Sequence, residues 1–288
     1  MARRARIGAV LALVLVDGNV STAAASPAVG EQAIVGGESS DPGEYAATGA
    51  LLRGPSYRCT ATLIAADVAI TAAHCLVDEG WGDFSFTLDA DVSDSLDDLV
   101  PVLAFHQHPD FQLEGDFKQL GQRNDVGVLI LEQPILGVPV ERLDDADDVQ
   151  SLSTGSQLQL CGYGREAWAD QRSVGVKRDA LVYVDTMTTW ELQSVDEDPQ
   201  PCRGDSGGPV FVDTEAGRRI AGLVSRAVGG ERSCATGAIY TRVAPYTEWV
   251  EKASLDRDMG GCSAGGGSGC PWLLLVGSLA LARRRARR

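Results

Sequence analysis

The chain has 288 residues, enough for one or two domains, and its hydrophobic content of 44% is that of a globular protein. Its formal net charge is −15 although both ends are rich in arginine, so the middle of the chain is the acidic part. Because an acidic body repels nucleic acid and anionic membrane surfaces, we expect neither as a partner of that part.

Residues 1–25 have the pattern of a secretory signal peptide. Three arginines precede an apolar run at 7–16, and alanines at 23–25 offer a small-residue cleavage site. The apolar run is too short to span a bilayer. We therefore expect the chain to be exported, and export permits disulfides.

The body of the chain contains many short β-type runs separated by glycine, proline and aspartate. They lie at 47–52, 58–64, 68–71, 84–88, 100–105 and 126–131 and, after an acidic linker at 144–148, at 157–162, 180–187, 209–212, 219–225 and 238–243. Such a series predicts an all-β sandwich or barrel. Residues 245–255 then predict an amphipathic helix, with Tyr246, Trp249 and Val250 on one face.

The stretch GDSGGP at 204–209 surrounds a serine with glycines. Glycines permit a tight turn whose N–H groups point into a pocket. A serine in such a turn can act as a nucleophile beside a backbone oxyanion hole, provided that a base and an orienting group are near. The chain offers a base at His74, within TAAHC, and a carboxylate at Asp125, directly before an apolar strand. The competing interpretation makes His74 an ordinary buried histidine.

With IVGG at 34–37, the order IVGG, TAAHC, ND-apolar and GDSGGP resembles the trypsin/chymotrypsin-like serine proteases over residues 34–252. The resemblance implies two packed six-stranded antiparallel barrels, at about 34–143 and 150–243, with the site in the cleft between them. It places a closing helix at 245–255, within a protease domain that ends near 256.

The same resemblance implies a serine-type endopeptidase that acts on proteins or peptides without a cofactor. Ser206 would attack the peptide carbonyl, with His74 as base and Asp125 as the group that orients it. The N–H groups of Gly204 and Ser206 would bind the oxyanion. Two other interpretations remain open: a non-catalytic homologue that serves as a surface binding module, and an esterase with the same chemistry.

Residues 26–33 are expected to form a propeptide. In the family, cleavage before IVGG frees an α-amino group that pairs with the aspartate preceding the nucleophile, which here matches Ile34 with Asp205. A buried carboxylate needs such a cation. Ala33 stands where animal zymogens carry arginine or lysine, so the unknown activating protease is expected not to be trypsin-like.

Five residues match positions that shape the family's specificity pocket: Gln200, Ser225, Arg226, Ala227 and Ala238. A neutral Gln200 in place of an aspartate offers no counter-ion to lysine or arginine. The two alanines replace glycines and would narrow the pocket. The resemblance therefore predicts cleavage after small or medium apolar residues.

Seven cysteines are present. The resemblance implies two disulfides, Cys59 with Cys75 beside the histidine and Cys202 with Cys234 beside the specificity pocket. Cys161 is expected to be a buried free thiol. Cys262 and Cys270 either pair or leave Cys270 as a processed residue.

The C-terminal part departs from the protease pattern. A Gly/Ser-rich linker at 257–269 precedes Cys270, a short apolar run and terminal arginines at 283–288. This arrangement resembles myxobacterial C-terminal sorting signals, and the alternative is a tail anchor. Either interpretation predicts attachment of residues 270–288 to a membrane or cell surface, or release of the enzyme from it.

An acidic run at 89–98, which includes Asp89, Asp91 and Asp94, offers oxygen ligands for calcium. The alternative is an ordinary solvated acidic loop. No other metal site is expected.

Overall fold

The computed structural model describes residues 34–257 except 42, 78–82, 94–95, 97, 115–118, 145–151, 170–172, 196–198, 229–233 and 235. The predicted signal peptide, propeptide and C-terminal segment lie outside these residues, as do Cys262, Cys270 and the linker beyond 257. These assignments stay predictions.

Six antiparallel strands from the first half of the described chain close into a barrel. After the two-residue strand β1 (Glu38–Ser39), they are β2 (Thr48–Arg53), β3 (Ser56–Ala65), β4 (Val68–Thr71), β5 (Phe84–Thr87), β6 (Val100–Gln107) and β7 (Gly127–Leu131). Around the barrel the order is β2-β3-β4-β7-β6-β5. Leu51, Leu63, Phe86 and Leu129 fill it, and closure leaves no free sheet edge.

A second barrel follows. It consists of β8 (Gln157–Gly162), β9 (Arg178–Met187), β10 (Glu191–Ser194), β11 (Pro209–Thr214), β12 (Gly217–Ala227) and β13 (Ala238–Arg242), in the order β8-β9-β10-β13-β12-β11. Pairing of β9 with β8 closes the ring, and β1 adds to the outside of β9. The buried core includes Ile34, Leu160, Val182 and Tyr240.

The helix α1 (Thr247–Leu255) comes after a short 3-10 turn at Ala244–Tyr246. Val250 and Ala253 are buried in a cluster that includes Val128 and Ile130 of β7, so a helix that follows barrel 2 in sequence packs against barrel 1. At nine residues, it is the longest helix among the described residues, none of which is long and apolar enough to cross a membrane.

The predicted all-β architecture with two six-stranded barrels and a C-terminal helix is confirmed. Two strands were not predicted, β1 and β10. β1 has only two residues, too few for a pattern. β10 has four residues and begins with Glu191, which is charged yet buried, and this removes the apolar alternation that marks a strand.

The barrels meet at the serine loop. The Thr60 N–H of β3 donates to the Ser206 carbonyl at 2.9 Å, and Thr60 Oγ1 donates to the Gly204 carbonyl at 3.1 Å. The Tyr57 hydroxyl donates to the same Gly204 carbonyl at 2.5 Å. Strand β3 of barrel 1 therefore holds the loop that precedes β11 of barrel 2.

Candidate active site

His74 is held on a short 3-10 turn, Ala73–Leu76, directly after β4. The disulfide between Cys59 and Cys75 ties this turn to β3. The Gln107 side chain donates to the Ala73 carbonyl at 2.8 Å. The backbone that carries the imidazole is thus fixed from two sides.

Asp125 is oriented by its neighbour Asn124, whose φ of 56° lies in the left-handed region that asparagine tolerates better than most residues. The Asn124 amide donates to the Asp110 carbonyl at 2.9 Å, and its Oδ1 accepts from the Tyr246 hydroxyl at 3.0 Å. These contacts fix the position of Asn124 and thereby the direction in which the Asp125 side chain points into the interior. The aspartate itself is fully buried.

The carboxylate of Asp125 receives three hydrogen bonds. The His74 backbone N–H donates to Oδ1 at 2.8 Å, His74 Nδ1 lies 2.8 Å from Oδ2, and Ser225 Oγ donates to Oδ2 at 2.6 Å. Arg123 Nη1 stands 3.6 Å from the same oxygen.

These contacts keep Asp125 ionised. Burial alone would raise its pKa, but the charge and hydrogen bond of His74, with Arg123 and Ser225, lower the pKa to about 2. An ionised partner at Nδ1 assigns the proton to that nitrogen, which leaves Nε2 of His74 able to accept one.

Two glycines of the serine loop adopt backbone angles that other residues avoid. Gly204 has φ of 110° and Gly207 has φ of 76°. A Cβ at Gly204 would lie 2.8 Å from a Tyr57 ring carbon, and one at Gly207 would lie 2.6 Å from the Thr60 carbonyl oxygen. Glycine is required at both positions because barrel 1 approaches the loop so closely.

In the serine loop, two N–H groups have no acceptor within the part of the chain that the structure describes. The N–H groups of Asp205, Gly207 and Gly208 donate to carbonyls at 3.0, 2.8 and 2.8 Å. Those of Gly204 and Ser206 donate to no acceptor among the residues that the structure describes. Two neighbouring unused donors beside a serine are suited to bind a negatively charged oxygen.

Asp205 is wholly buried and accepts two backbone hydrogen bonds. Gly164 N–H donates to Oδ1 at 2.7 Å and Cys202 N–H donates to Oδ2 at 2.8 Å. Burial raises its pKa to about 6, although these two hydrogen bonds and the charge of Arg178 act to lower it. The side chain of Ile34 is buried in barrel 2, and Val35 pairs with the Gln200 backbone at 2.9 and 3.0 Å.

A cleft with a cavity of about 400 Å³ brings the predicted residues together. His74, Gly204 and Ser206 line it. Of the five predicted specificity residues, Ser225, Arg226 and Ala227 also line it. Gln200 and Ala238 are only 2% and 1% exposed and do not belong to its lining, although Ala238 is the cross-strand partner of Ala227. A more open concavity of about 640 Å³, lined by residues 139–142 and by parts of β11 and β12, contains none of the predicted catalytic residues.

Comparison with known proteins agrees with this arrangement. A family model described as trypsin matches residues 34–250, more than half of the chain. The chain belongs to the trypsin family. It is a serine protease, and hence a hydrolase, by that membership.

Several named proteases resemble this trypsin-family chain. It is 26% identical to the vitellin-degrading protease of Bombyx mori, over 80% of this chain and 89% of that protein, and 28% identical to a trypsin of Saccharopolyspora erythraea, over 74% and 94%. The solved structure of neuropsin, a serine protease expressed in the limbic system of mouse brain, has a TM-score of 0.62. At 20% identity it covers 76% of this chain and 99% of its own, which supports the fold.

Two charged residues of this trypsin-family site were missed at the sequence level. Arg123 lines the cleft and also lies over the Phe111 ring, at 5.4 Å. Glu191 is buried and bonds to Arg226 through both carboxylate oxygens. In the sequence, Arg123 could have been found from its position two residues before Asp125. Glu191 had no such signal, because it lies on β10, a strand that was not predicted.

The cysteine predictions within the described residues are confirmed. Cys59 pairs with Cys75, Cys202 pairs with Cys234, and Cys161 is a buried free cysteine. Burial raises the pKa of the Cys161 thiol to about 12, so it stays protonated.

Metal binding finds no support in the described residues. Within the described residues, the one cluster of three potential ligand side chains is Cys59, His74 and Cys75, and the two sulfurs in it are joined in a disulfide. In the acidic run proposed for calcium, Asp91 instead accepts bonds from the N–H and hydroxyl of Ser93, and residues 94, 95 and 97 lie outside the described part. The calcium site stays a prediction.

Proposed function

We propose that this protease is an exported endopeptidase that cleaves peptide bonds through Ser206, His74 and Asp125. The observation that carries the proposal is the double hydrogen bond between His74 and Asp125, at 2.8 Å each, beside a cleft that Ser206 also lines. A nucleophile, a base and a group that orients the base are the parts that serine chemistry requires.

The reaction would proceed in two stages. Ser206 Oγ attacks the peptide carbonyl while His74 Nε2 takes the hydroxyl proton, and Asp125 stabilises the imidazolium that results. The imidazolium then gives its proton to the leaving amine, which leaves an acyl-enzyme. Water, activated by His74 in the same way, releases the acid and restores Ser206.

The negative oxygen of each tetrahedral intermediate would be bound by the N–H groups of Gly204 and Ser206. We further propose that cleavage before Ile34 completes this site. The new ammonium would pair with Asp205, whose pKa of about 6 reflects burial without a full counter-charge. Since Cys202 N–H and Gly164 N–H already hold this carboxylate, the pair would fix the loop that leads to Ser206.

The proposed substrate residue before the cleaved bond is small or medium and apolar. Gln200 offers no negative charge to lysine or arginine, and Ala227 and Ala238 face each other across β12 and β13 where glycines would leave more room. Export through residues 1–25, removal of 26–33 by a separate protease and surface delivery through 270–288 complete the proposal.

The test uses the chain cut to begin at Ile34, with a Ser206→Ala variant as its matched control. Both are exposed to a fluorophosphonate probe and to a mixed peptide library whose cleavage sites are read by mass spectrometry. Labelling and cleavage by the wild type alone are expected, with a loss of roughly 10⁶-fold in kcat for the variant.

Other results would change the proposal in distinct ways. Cleavage mainly after lysine or arginine would overturn the specificity and keep the mechanism. A folded protein with a free Ile34 that neither labels nor cleaves would favour a binding module. Cleavage of esters without peptides would favour an esterase.

A further inference from the structure

Arg226, which lines the cleft, forms an ion pair with the buried Glu191 behind it. Glu191 begins β10 and its side chain is 1% exposed; Arg226 lies near the end of β12 and is 10% exposed. Two guanidinium nitrogens of Arg226 donate to the two carboxylate oxygens, at 2.7 and 2.8 Å. Such bidentate geometry is the arrangement in which a buried pair best offsets the cost of removing both charges from water.

The pair also binds a segment of barrel 1. Gly121 N–H donates to Glu191 Oε2 at 2.7 Å, and Arg226 Nη2 donates to the Gln119 carbonyl at 3.0 Å. Segment 119–121 leads to Asp125, and β10 and β12 belong to barrel 2. One ion pair therefore ties both barrels together beside the cleft.

A hydrogen-bond chain runs from this pair to the carboxylate that holds His74. Arg226 Nη1 donates to Ser225 Oγ at 3.3 Å, and Ser225 Oγ donates to Asp125 Oδ2 at 2.6 Å. A hydroxyl has one hydrogen, so a serine that accepts from Arg226 has that hydrogen free for Asp125. Glu191 neutralises the cation at the far end of the chain.

We propose that Glu191 and Arg226 are positioning residues for the reaction at Ser206, which hold the Ser225 hydroxyl on Asp125 while keeping the neighbouring charge neutral. This inference rests on the proposed function. Neither residue need touch the reacting atoms, because their effect passes through Ser225 and Asp125.

If this role is correct, removing one charge of the pair should change the pH dependence of the reaction. Among the described residues, the charged or titratable groups around Asp125 are His74, Arg123 from the preceding loop, Arg226 with Glu191, and Tyr246 from the 3-10 turn before α1. Replacing Glu191 alone leaves a net positive charge, which disfavours the protonated imidazole. Replacing Arg226 alone leaves a net negative charge, which favours it.

The experiment measures kcat/KM against pH for Glu191→Gln, Arg226→Gln and the double variant, all beginning at Ile34. The midpoint of the acid limb should move to lower pH by about 0.3–1 unit in Glu191→Gln and to higher pH by a similar amount in Arg226→Gln. The double variant should return to the wild-type midpoint with a lower kcat.

A matched control lies on the same strand. Arg218, at the start of β12, pairs with Glu141 at 2.6 Å, about 26 Å of strand away from Arg226. Glu141→Gln and Arg218→Gln should leave both the midpoint and kcat unchanged.

A second measurement covers the case in which Arg226→Gln fails to fold. In a double-mutant cycle, Ser225→Ala and Glu191→Gln should each lower kcat, and together they should lower it by less than the product of the two effects. Glu141→Gln combined with Ser225→Ala should be simply multiplicative.

The outcomes separate the two proposals. Opposite midpoint shifts, or the non-multiplicative cycle, support the positioning role. Folded variants whose midpoints do not move, or move in the same direction, overturn the positioning role. If the wild type still labels with fluorophosphonate in that case, the proposed function stands. A wild type that does not label overturns the proposed function, and this inference with it.

Discussion

Two buried aspartates, one on each side of the cleft, have opposite electrostatic surroundings. Asp125, from barrel 1, is bonded to His74 and Ser225 and lies beside Arg123, and its pKa is lowered to about 2. Asp205, from the loop before β11, accepts two backbone N–H bonds, and burial raises its pKa to about 6. Both side chains are fully buried, so burial does not explain the difference.

The difference comes from the charged partners. Asp125 has a full set of partners within the folded chain, whereas Asp205 is fixed in place by N–H groups and influenced by Arg178 only through its charge. While Ala33 remains attached, the Ile34 nitrogen is an amide and carries no charge. We infer that the barrel 1 half of the site is complete before activation and that the barrel 2 half requires one more cation.

The largest effect is expected at the completed half. Asp125→Asn keeps the shape of the side chain but removes its charge and favours the wrong tautomer of His74, so kcat should fall by roughly 10⁴-fold. The measurement is kcat at pH 7 with a peptide substrate, and circular dichroism checks the fold. A loss below tenfold in a folded variant would contradict the role given to Asp125.

A smaller effect is expected at the incomplete half. A chain that begins at Ile34 should exceed an otherwise identical chain that retains residues 26–33 by about 10²–10³-fold in kcat, the value of an oxyanion-hole donor. Asp205→Asn should remove this advantage because no carboxylate remains for the ammonium. Equal rates for the two chain lengths would show that Asp205 needs no activation.

The smallest effect is a pH-dependent stability. The raised pKa of Asp205, about 6 against 3.8 for an ordinary aspartate, makes its contribution to the free energy of unfolding greatest below pH 4. That contribution is lost as pH rises through 6, by at most about 3 kcal/mol. Asp125, with its pKa lowered, has the reverse sign: its contribution is present above pH 4 and is lost toward pH 2.

Urea unfolding between pH 4 and 7 measures this difference, with the disulfides intact and Ser206→Ala present in every variant to prevent self-cleavage. Relative to Asp205→Asn, the chain that retains residues 26–33 should lose stability as pH rises. The chain that begins at Ile34 should lose less, since its ammonium favours the charged carboxylate. If the stability of all three proteins changes with pH in the same way, Asp205 does not lack a counter-charge before cleavage.

Much of the architecture could be read from the sequence because its signals are local. Short β-type runs between turn residues marked most strands of both barrels, and the amphipathic pattern at 245–255 marked α1, although the first two of these residues lie in the 3-10 turn before it. The glycines at 204 and 207 marked a turn that other residues cannot adopt. The disulfides followed from the family resemblance, which assigned Cys59 to Cys75 and Cys202 to Cys234.

Charge compensation inside the protein could not be read in this way. Arg226 was interpreted as a specificity residue, and the sequence held no sign that Glu191 neutralises it, because the two residues lie 35 positions apart. Gln200 and Ala238 were placed by residue counts; both are buried, and each lies next to a residue of the cleft lining without lining the cleft itself. Burial and pairing depend on strands that are distant in the chain.

By itself, the sequence determined the all-β class and the glycine-rich serine loop and singled out His74 and Asp125, since each depends on residue type and short-range pattern. Only the tertiary structure decided how Asp125 is held and how Tyr57 and Thr60 of barrel 1 bond to the Gly204 carbonyl. It also decided how Glu191 and Arg226 connect the two barrels. The physical reason is that electrostatic energy and steric fit depend on distance in space, whereas sequence patterns report only neighbours along the chain.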